Sequence, residues 1–513
     1  MLWCSQSHGA IYSRSDVLVS AGDSKRGERL SQVLSLPEAP VATLRPLCVD
    51  LDGTLVKSDT LVDSLLVLAR THPALLFALP GQLLHSKAAF KAFVTSHVAL
   101  DVAHLPYNRK LVQFLHEENA RGRAIYLVTG ANVGLAQRVA VHFGIFTGVF
   151  ASDGAVNLTG TTKLDRMRSL LGDCDYDYIG NGAPDLPLLA RAAEPMVANP
   201  SLRLRLGLRM KGIHPARTFT ERARPLWLAL MALRPHQWTK NLLIFLPLLL
   251  AHVVALNRLL DAWLAFCCFS LTASSAYIVN DLLDIENDRR HARKRERPFA
   301  TGDLSAFAGL CIVVISLFLA FWGARLLPVA FSGWLILYLA TTLAYSWYLK
   351  RFALVDVLLL SGLYTLRLLA GSAATRSHIS PWLAGFAVFL FFSLAIVKRF
   401  AELENLRASG LPPRNGRGYL VADIDQLRSF GTASAFAAVM IFAIYISSTD
   451  IMKLYRHPQL LWLIMPFMIL WLCRVWLLAS RGELSEDPLV FALTDRMSLA
   501  IGAAIAVIAL LAI

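Results

Sequence analysis

Charged residues are scarce in this sequence: they make up 17% of its 513 residues, against about a quarter in ordinary soluble proteins. The seven cysteines have neither the spacing of a metal site nor the pattern of a disulfide framework, which argues against a cysteine-stabilised domain. Residues 1–40 lack an apolar core segment. We therefore expect no secretory signal there and predict a disordered tail over residues 1–45.

The few charges are unevenly distributed along the chain. They occur throughout the first half, whereas residues 225–513 contain apolar stretches, many reaching the roughly 20 residues that a membrane helix needs. The net charge of +14 comes from Lys and Arg gathered between these stretches, which is typical of cytoplasmic loops and not of nucleic-acid binding. We predict a soluble domain over 46–200, a basic juxtamembrane linker over 201–224 and an all-α membrane domain over 225–513.

The predicted soluble domain alternates strand-like and helix-like patterns. Short apolar runs end at Asp50, Thr129 and Gly180, which predicts a parallel α/β sheet. Polar residues that follow such strands meet at one sheet edge. Asp50 and Asp52 are two residues apart on an extended segment and point the same way, so one could attack phosphorus while the other protonates the leaving oxygen.

Four motifs of this domain, DLDGTL at 50–55, VTGAN at 128–132, Lys163 and IGNGAPD at 179–185, resemble the haloacid dehalogenase superfamily. The resemblance implies a Rossmann-like phosphatase domain in which residues 60–115 form a helical cap. It also implies these roles: Asp50 as nucleophile, Asp52 as acid/base, Thr129 and Lys163 as phosphate contacts, and Asp50, Asp52, Asn181 and Asp185 around Mg²⁺.

Asn181 departs from the acid that is usual at its position, and an amide is a weaker Mg²⁺ ligand than a carboxylate. Two interpretations therefore stay open for this domain. It is an active phosphatase, or it is a retained fold with a regulatory or structural role.

The membrane half contains nine predicted spans. They lie near residues 238–254, 257–280, 305–323, 326–346, 354–374, 381–398, 431–447, 457–478 and 490–512. Basic loops such as 284–303 alternate with less basic ones such as 375–380, which predicts that the basic loops and the N-terminal domain face the cytoplasm.

The end of the second predicted span is rich in acid. On a continuous helix, Asn280, Asp284 and Asp288 share one face, and Asp281 lies beside it. Acidic residues at the end of a membrane span are costly, and Mg²⁺ uses one or two carboxylates together with substrate phosphate oxygens. This pattern predicts a site for magnesium and a diphosphate. The alternative is a helix end that enters water, with its acids paired to the nearby arginines.

The run NDxxDxxxD at 280–288, followed by RxRPFAxG at 295–302 and preceded by RPHQWTKN at 234–241, resembles the UbiA superfamily of membrane prenyltransferases. The resemblance covers about 290 residues. It implies nine transmembrane helices around a central cavity with a lateral opening for the prenyl chain.

Typical members of that superfamily carry a second motif, DxxxD, between the fourth and fifth spans, and this sequence has a single Asp356 there. Its pattern resembles the decaprenyl-phosphate phosphoribosyltransferase branch. That branch implies transfer of 5-phosphoribose from 5-phosphoribosyl 1-diphosphate (PRPP) to a polyprenyl phosphate. Mg²⁺ is then expected on Asp281, Asp284 and Asp288, with Asp281 and Asp284 as catalytic residues. Expected substrate contacts are Lys240, Asn280, Tyr345, Lys350, Arg367, Lys398 and Arg399.

We expect a multi-pass protein of a bacterial inner membrane, and the sequence leaves open whether it forms a homo-oligomer. One hypothesis is that the phosphatase-like domain removes the 5-phosphate from the lipid-linked product. Two alternatives remain for the membrane domain: prenylation of an aromatic or quinone precursor from a prenyl diphosphate, and a lipid-binding scaffold with a decayed site.

Overall fold

The computed structural model describes residues 44–153, 158–172, 174–221, 224–252, 255–409, 417–484 and 488–513. The predicted disordered tail lies almost wholly outside these residues. The chain divides into two compact units. The first takes in the described residues up to Ser64 and Phe77–Glu221, and the second Leu65–Leu76 and Arg222–Ile513.

The first unit is built on a six-stranded sheet in which every neighbouring pair is parallel, in the order β3-β2-β1-β4-β5-β6. The strands are β1 Leu47–Val49, β2 Ile125–Asn132, β3 Gly148–Ser152, β4 Asp177–Gly180, β5 Pro195–Ala198 and β6 Arg217–Phe219. The helix α1 Thr60–Thr71 begins in this unit and ends in the second. The other helices of the first unit are α2 Leu79–His85, α3 Lys87–His97, α4 Arg109–Ala120, α5 Val133–Phe143, α6 Thr161–Leu171, α7 Leu186–Leu189 and α8 Leu202–Met210. The predicted parallel α/β sheet is confirmed.

The central strand β1 places the polar residues. All three of its residues are fully buried, as expected for a strand with both faces covered, and Leu47 lies between Ile125 of β2 and Asp177 of β4. Because these strands are parallel and in register, Asp50, Thr129 and the end of β4 meet at one edge, as the sequence predicts. Residues 60–115 are mainly helical, and their role as a cap stays a prediction.

The prediction of a linker over 201–224 is wrong for residues 201–219, which belong to the first unit. They form α8 and β6, and β6 pairs with β5 at the edge of the sheet. The reason is an amphipathic pattern: Leu204 and Leu208, one turn apart, are buried, while the arginines of this segment occupy the other face. The basic composition therefore belongs to the surface of the first unit.

The second unit is helical. Its helices are α9 Pro225–Leu233, α10 Leu246–Leu250, α11 Leu256–Leu283, α12 Ile285–Arg290, α13 Ala306–Ala324, α14 Val329–Trp347, α15 Val355–Thr375, α16 Pro381–Ser409, α17 Ile424–Ile446, α18 Thr449–Leu454, α19 Ile464–Ser480, α20 Pro488–Thr494 and α21 Arg496–Ala512. Short 3₁₀ segments include Pro235–Phe245 and Leu349–Arg351.

Seven helical stretches are long and apolar enough to cross a membrane among the residues that the structure describes. The predicted count of nine is not confirmed. The first predicted span, 238–254, is broken into the 3₁₀ segment and α10, with Pro235 and Pro247 at their starts, because proline lacks the N–H that a continuous helix needs. The last predicted span is the shorter apolar helix α21.

A close helix contact brings the broken first span against α15. A Cβ at Gly371 would collide with the carbonyl of Ile244, so only glycine allows this approach. The same packing lets Asn241 of the 3₁₀ segment accept a hydrogen bond from Arg367 of α15. The irregular segment is therefore part of the wall of the site described next.

Candidate functional site

A polar cavity of about 470 Å³ lies inside the second unit. Among the described residues, nine basic side chains and two acidic ones, Asp284 and Glu402, line it. The basic residues are Arg234, Lys240, Lys294, Arg297, Lys350, Arg367, Lys398, Arg399 and Arg417. A cavity so rich in cations inside an apolar helical bundle is costly unless it receives anions. The cavity is therefore suited to a polyanionic ligand.

The acidic motif at the end of α11 is divided by a helix break. α11 ends at Leu283 and α12 begins at Ile285, with Asp284 between them. Lys350 Nζ donates to Asn280 Oδ1 at 3.2 Å and to Asp284 Oδ2 at 3.1 Å. Arg297 instead bridges Asp281 at 3.0 Å and Asp288 at 2.6 Å. The motif therefore does not form the single acidic face expected on a continuous helix. Asn280 and Asp284 share Lys350, whereas Asp281 and Asp288 share Arg297.

Asp281 is almost wholly enclosed, at 2% exposure. One Arg234 nitrogen lies 2.5 Å from each of its carboxylate oxygens, in addition to the contact with Arg297. Arg234 is held there by a left-handed backbone conformation with φ of 52° and by the ring of Tyr277, 5.5 Å away. Asp281 is therefore paired with two arginines, but it lies inside the bundle and not at a helix end that enters water.

Within the acidic motif, Asn280 and Asp284 are better placed to hold Mg²⁺ than Asp281 and Asp288 are. Among the described residues, no three His, Cys, Asp or Glu side chains come together as a metal-binding group. Asn280 and Asp284 line the cavity, and a divalent cation would find two oxygen ligands there and take the rest from a bound phosphate. Asp281 and Asp288 do not line the cavity.

Asp284 is partly exposed, and its partners are basic. Its other oxygen pairs with Arg70, in the 65–76 segment of the same unit. Burial, followed by repulsion from neighbouring cations, lowers the pKa of Lys350 to about 8.

Arg367 is a buried basic residue of the cavity wall, and the side chains and backbone that it contacts are uncharged. It donates to Asn241 Oδ1 at 2.8 Å, to the Tyr338 hydroxyl at 3.0 Å and to the carbonyl of Leu363. Its guanidinium also lies over three aromatic rings, with that of Tyr338 at 4.9 Å. A guanidinium that is 4% exposed and keeps its full charge is a strong anchor for an anion.

The predicted contacts Tyr345 and Arg399 belong to a second cluster, which sequence reasoning did not assemble. Asp356, at 0% exposure, accepts hydrogen bonds from Tyr345, Arg399 and Arg417, and Glu402 accepts from Arg399. The sequence signal was the lone acid Asp356 at the start of an apolar span. The predicted contacts Lys240 and Lys398 also line the cavity.

The first unit contains a separate site at the edge of its sheet. Lys163 Nζ donates to Asp50 Oδ1 at 2.8 Å and to Asp185 Oδ1 at 3.5 Å. Asp185 is fixed from the other side by the Tyr178 hydroxyl at 2.8 Å and by the backbone N–H groups of Asn181 and Gly182. The structure thus brings together three of the predicted residues, and adds Tyr178.

The remaining predicted residues of this site surround the same edge. Thr129 is buried, and its hydroxyl accepts from the N–H of Ala131. A Cβ at Gly53 would collide with the side chain of Asn181, which places Asn181 against the turn that directly follows Asp52. Burial raises the pKa of Asp50 to about 6 and that of Asp52 to about 7. Crowded buried acids of this kind favour a bound cation.

A small cavity of about 70 Å³ adjoins Asp52, and Lys91 of α3 reaches its wall. Lys91 Nζ donates to the carbonyl of Gly130 at 2.7 Å. The four motifs gave no indication of this residue, because it lies in the segment between the first two of them.

The apolar helices and the strongly basic internal cavity define a multi-pass membrane protein. Residues 241–501, half of the chain, match the UbiA prenyltransferase family, and the chain belongs to that family. It is a UbiA-type membrane prenyltransferase in which a parallel α/β unit precedes the membrane bundle.

Similar proteins cover different parts of the chain. The protein y4nM of Sinorhizobium fredii is 35% identical over 90% of both chains, so that similarity extends over both units. Decaprenyl-phosphate phosphoribosyltransferase of Mycobacterium tuberculosis is 32% identical over 43% of this chain and 74% of its own length. The solved structure of a UbiA homologue from Archaeoglobus fulgidus bound to DMAPP and Mg²⁺ covers 55% of this chain and 98% of its own, with 17% identity and a TM-score of 0.42.

Proposed function

We propose that the membrane unit transfers 5-phosphoribose from PRPP to a polyprenyl phosphate and releases diphosphate. The charge of the cavity carries this proposal: nine basic side chains stand against two acidic ones. PRPP brings a diphosphate and a 5-phosphate, and the acceptor brings a further phosphate. A prenyl diphosphate with an aromatic acceptor brings fewer anionic groups to balance the same cations. The similarity to decaprenyl-phosphate phosphoribosyltransferase of M. tuberculosis supports this choice.

The donor diphosphate is proposed to bind where Asn280, Asp284 and Lys350 meet. Mg²⁺ held by Asp284 and Asn280 would neutralise charge on the leaving diphosphate. Lys350 then turns its ammonium from the two motif oxygens to the phosphate oxygens. Asp281 and Asp288 hold Arg234 and Arg297 in place, so that these guanidiniums face the cavity in a fixed geometry.

The acceptor phosphate is proposed to bind Arg367. The neutral partners and aromatic rings around this guanidinium orient it without cancelling its charge. The lipid phosphate is already anionic at neutral pH, so it attacks C1 of the ribose without a general base. As the C1–O bond to diphosphate breaks, the chain stabilises the negative charge on the leaving diphosphate mainly by preorganised cations.

The first unit is proposed to be a phosphatase that acts on the lipid-linked phosphoribose. Lys163 contacts both Asp50 and Asp185, and a lysine next to two carboxylates suits a phosphoaspartate mechanism with a metal. Asp50 would take the phosphoryl group and Asp52 would protonate the ribose oxygen. We also propose that this unit lies in the cytoplasm of a bacterial cell, on the side of the basic loops.

One assay separates the candidate functions of the membrane unit. Membranes containing the protein are incubated with PRPP labelled in the ribose and a polyprenyl phosphate, and in parallel with a labelled prenyl diphosphate and an aromatic acceptor. Lipids are then extracted. Ribose label in the lipid, absent from Asp284→Asn membranes, supports the proposal. Label only from the prenyl diphosphate supports aromatic prenylation, and no product from either supports a scaffold.

A further inference from the structure

All of the hydrogen-bond donors of the Arg399 side chain are directed at other side chains of the protein. The Arg side chain has five N–H groups. Nε and one N–H of Nη2 bond the two oxygens of Asp356, the second N–H of Nη2 points at the Tyr345 hydroxyl at 3.4 Å, and Nη1 bonds both oxygens of Glu402 at 2.7 Å. The side chain is 1% exposed. Although the sequence suggested a substrate contact, this guanidinium bridges two carboxylates.

Both carboxylate oxygens of Asp356 likewise accept hydrogen bonds from neighbouring side chains. Its Oδ1 accepts from the Tyr345 hydroxyl at 2.7 Å, from Arg399 at 3.1 Å and from Arg417 at 3.4 Å, and its Oδ2 accepts from Arg399. Mg²⁺ requires short, near-octahedral oxygen contacts and usually keeps several waters. A carboxylate with no exposed surface, enclosed by one phenol and two guanidiniums, offers neither an open lone pair nor room for such waters.

Asp284 contrasts with Asp356. Asp284 also has basic partners, but its side chain is 18% exposed and lines the cavity, and the Lys350 side chain beside it is long and partly exposed. Lysine is a point charge on a flexible stem and can turn away from a carboxylate, whereas Arg399 is a planar fork fixed at both ends. Displacing Arg399 would leave a buried guanidinium with two unpaired carboxylates, which is a large penalty.

We infer that Arg399 occupies, between Asp356 and Glu402, the position that a second metal ion would need, so that the membrane unit uses a single Mg²⁺. The charges balance without that ion: two carboxylates face two guanidiniums, Arg399 and Arg417. Arg417 is 31% exposed on the cavity and is the group of this cluster that reaches the substrate phosphate. Arg399 is a positioning residue. The inference deepens the proposed function, on which the identity of the donor rests.

Counting bound Mn²⁺ tests this inference directly. Full-length protein is purified in detergent with Asp50→Asn and Asp185→Asn, so that metal on the first unit is not counted. Electron paramagnetic resonance then measures Mn²⁺ bound in the presence of inorganic diphosphate. We expect one ion per chain, none after Asp284→Asn, and still one after Glu402→Gln. Two ions per chain, with one lost in Glu402→Gln, would overturn the inference.

A second variant, Arg399→Ala, should increase the number of bound Mn²⁺ ions. Arg399→Ala leaves Asp356 and Glu402 without their bridge, and the count should rise from one to two. A folded Arg399→Ala protein that still binds one ion would contradict the role given to Arg399. If this variant does not fold, the Glu402→Gln count decides alone.

Arg417→Gln should keep the count at one and weaken diphosphate binding about tenfold, the usual loss for one charge-assisted hydrogen bond. Unchanged affinity would remove Arg417 from the site.

These measurements are independent of the transferase assay. Inorganic diphosphate is the probe, so the metal count needs neither PRPP nor a lipid. A count of one without ribose transfer would leave the inference standing and reject the proposed function. A count of two with ribose transfer would do the reverse.

Discussion

The two candidate sites of this protein handle charge in opposite ways. At the sheet edge of the first unit, Asp50 and Asp185 share the single ammonium of Lys163, and burial raises the pKa of Asp50 and Asp52. In the cavity of the second unit, basic side chains outnumber acidic ones and every motif acid has a basic partner. The first site is therefore suited to a bound cation, and the second to a bound anion.

This difference predicts how each site acquires its metal. Excess buried carboxylate attracts a divalent cation directly, so the first unit should bind metal before substrate. A basic cavity repels a free divalent cation and attracts polyphosphate, so the second unit should take its metal together with a diphosphate. The predictions below test that contrast, from the largest expected effect to the smallest.

Asp50→Asn should have the largest effect. Loss of the nucleophile is expected to lower phosphatase activity by about 10⁴-fold, the scale seen when a covalent catalyst is removed. Transfer of ribose to lipid should continue, and the phosphorylated lipid product should accumulate, as measured by mass spectrometry of extracted lipid. The matched control is Asp59→Asn, which lies near the site without a proposed role. If wild-type protein with Mg²⁺ leaves that lipid unchanged, the first unit does not act on it.

Asp284→Asn should affect the other site alone. Removing the carboxylate that faces the cavity is expected to lower ribose transfer by about 10²–10³-fold, the effect of losing one preorganised electrostatic group. The phosphatase activity of the same purified protein serves as the internal control for folding. Full transfer activity in a correctly inserted variant would contradict the proposed role of Asp284.

Substitutions of Arg367 should separate the contribution of its charge from that of its planar shape. Arg367→Lys keeps the charge but loses the planar fork, and we expect about tenfold weaker binding of polyprenyl phosphate, with a larger loss in Arg367→Met. The measurement is the KM for the lipid at saturating PRPP. The KM for PRPP should change little, and an equal rise in both constants would indicate general loss of the cavity.

The smallest expected effect concerns metal affinity without substrate. Titration of the full-length protein with Mn²⁺ alone should show one site, abolished by Asp185→Asn and insensitive to Asp284→Asn. Addition of diphosphate should reveal the second site. Equal Mn²⁺ affinity of the two sites in the absence of diphosphate would remove the contrast between them.

Local patterns in the sequence were sufficient for part of this picture. The parallel sheet and the convergence of Asp50, Thr129 and the end of β4 follow from short strands whose polar ends must meet at one edge. The acidic motif at 280–288 was likewise visible, as was its alternative pairing with nearby arginines. Each of these features depends on residues close in sequence or on a general rule of sheet topology.

Other features depend on long-range contacts, which periodicity does not encode. The role of Arg399 depends on Asp356, 43 residues away, and the wall around Arg367 depends on Asn241, 126 residues away. The basic composition of 201–224 predicts a linker because the arginines obscure the two buried leucines of α8. The apolar composition of 238–254 predicts a continuous span, although Pro247 lies within it and the structure breaks the segment there.

The most direct test of the central claim uses purified protein in liposomes that contain a polyprenyl phosphate, with PRPP and Mg²⁺ added. Mass spectrometry of the lipid fraction should show the polyprenyl phosphate heavier by one 5-phosphoribosyl group in the Asp50→Asn protein, and by one ribosyl group in the wild type. PRPP left intact, with the polyprenyl phosphate unchanged in mass, would contradict the account.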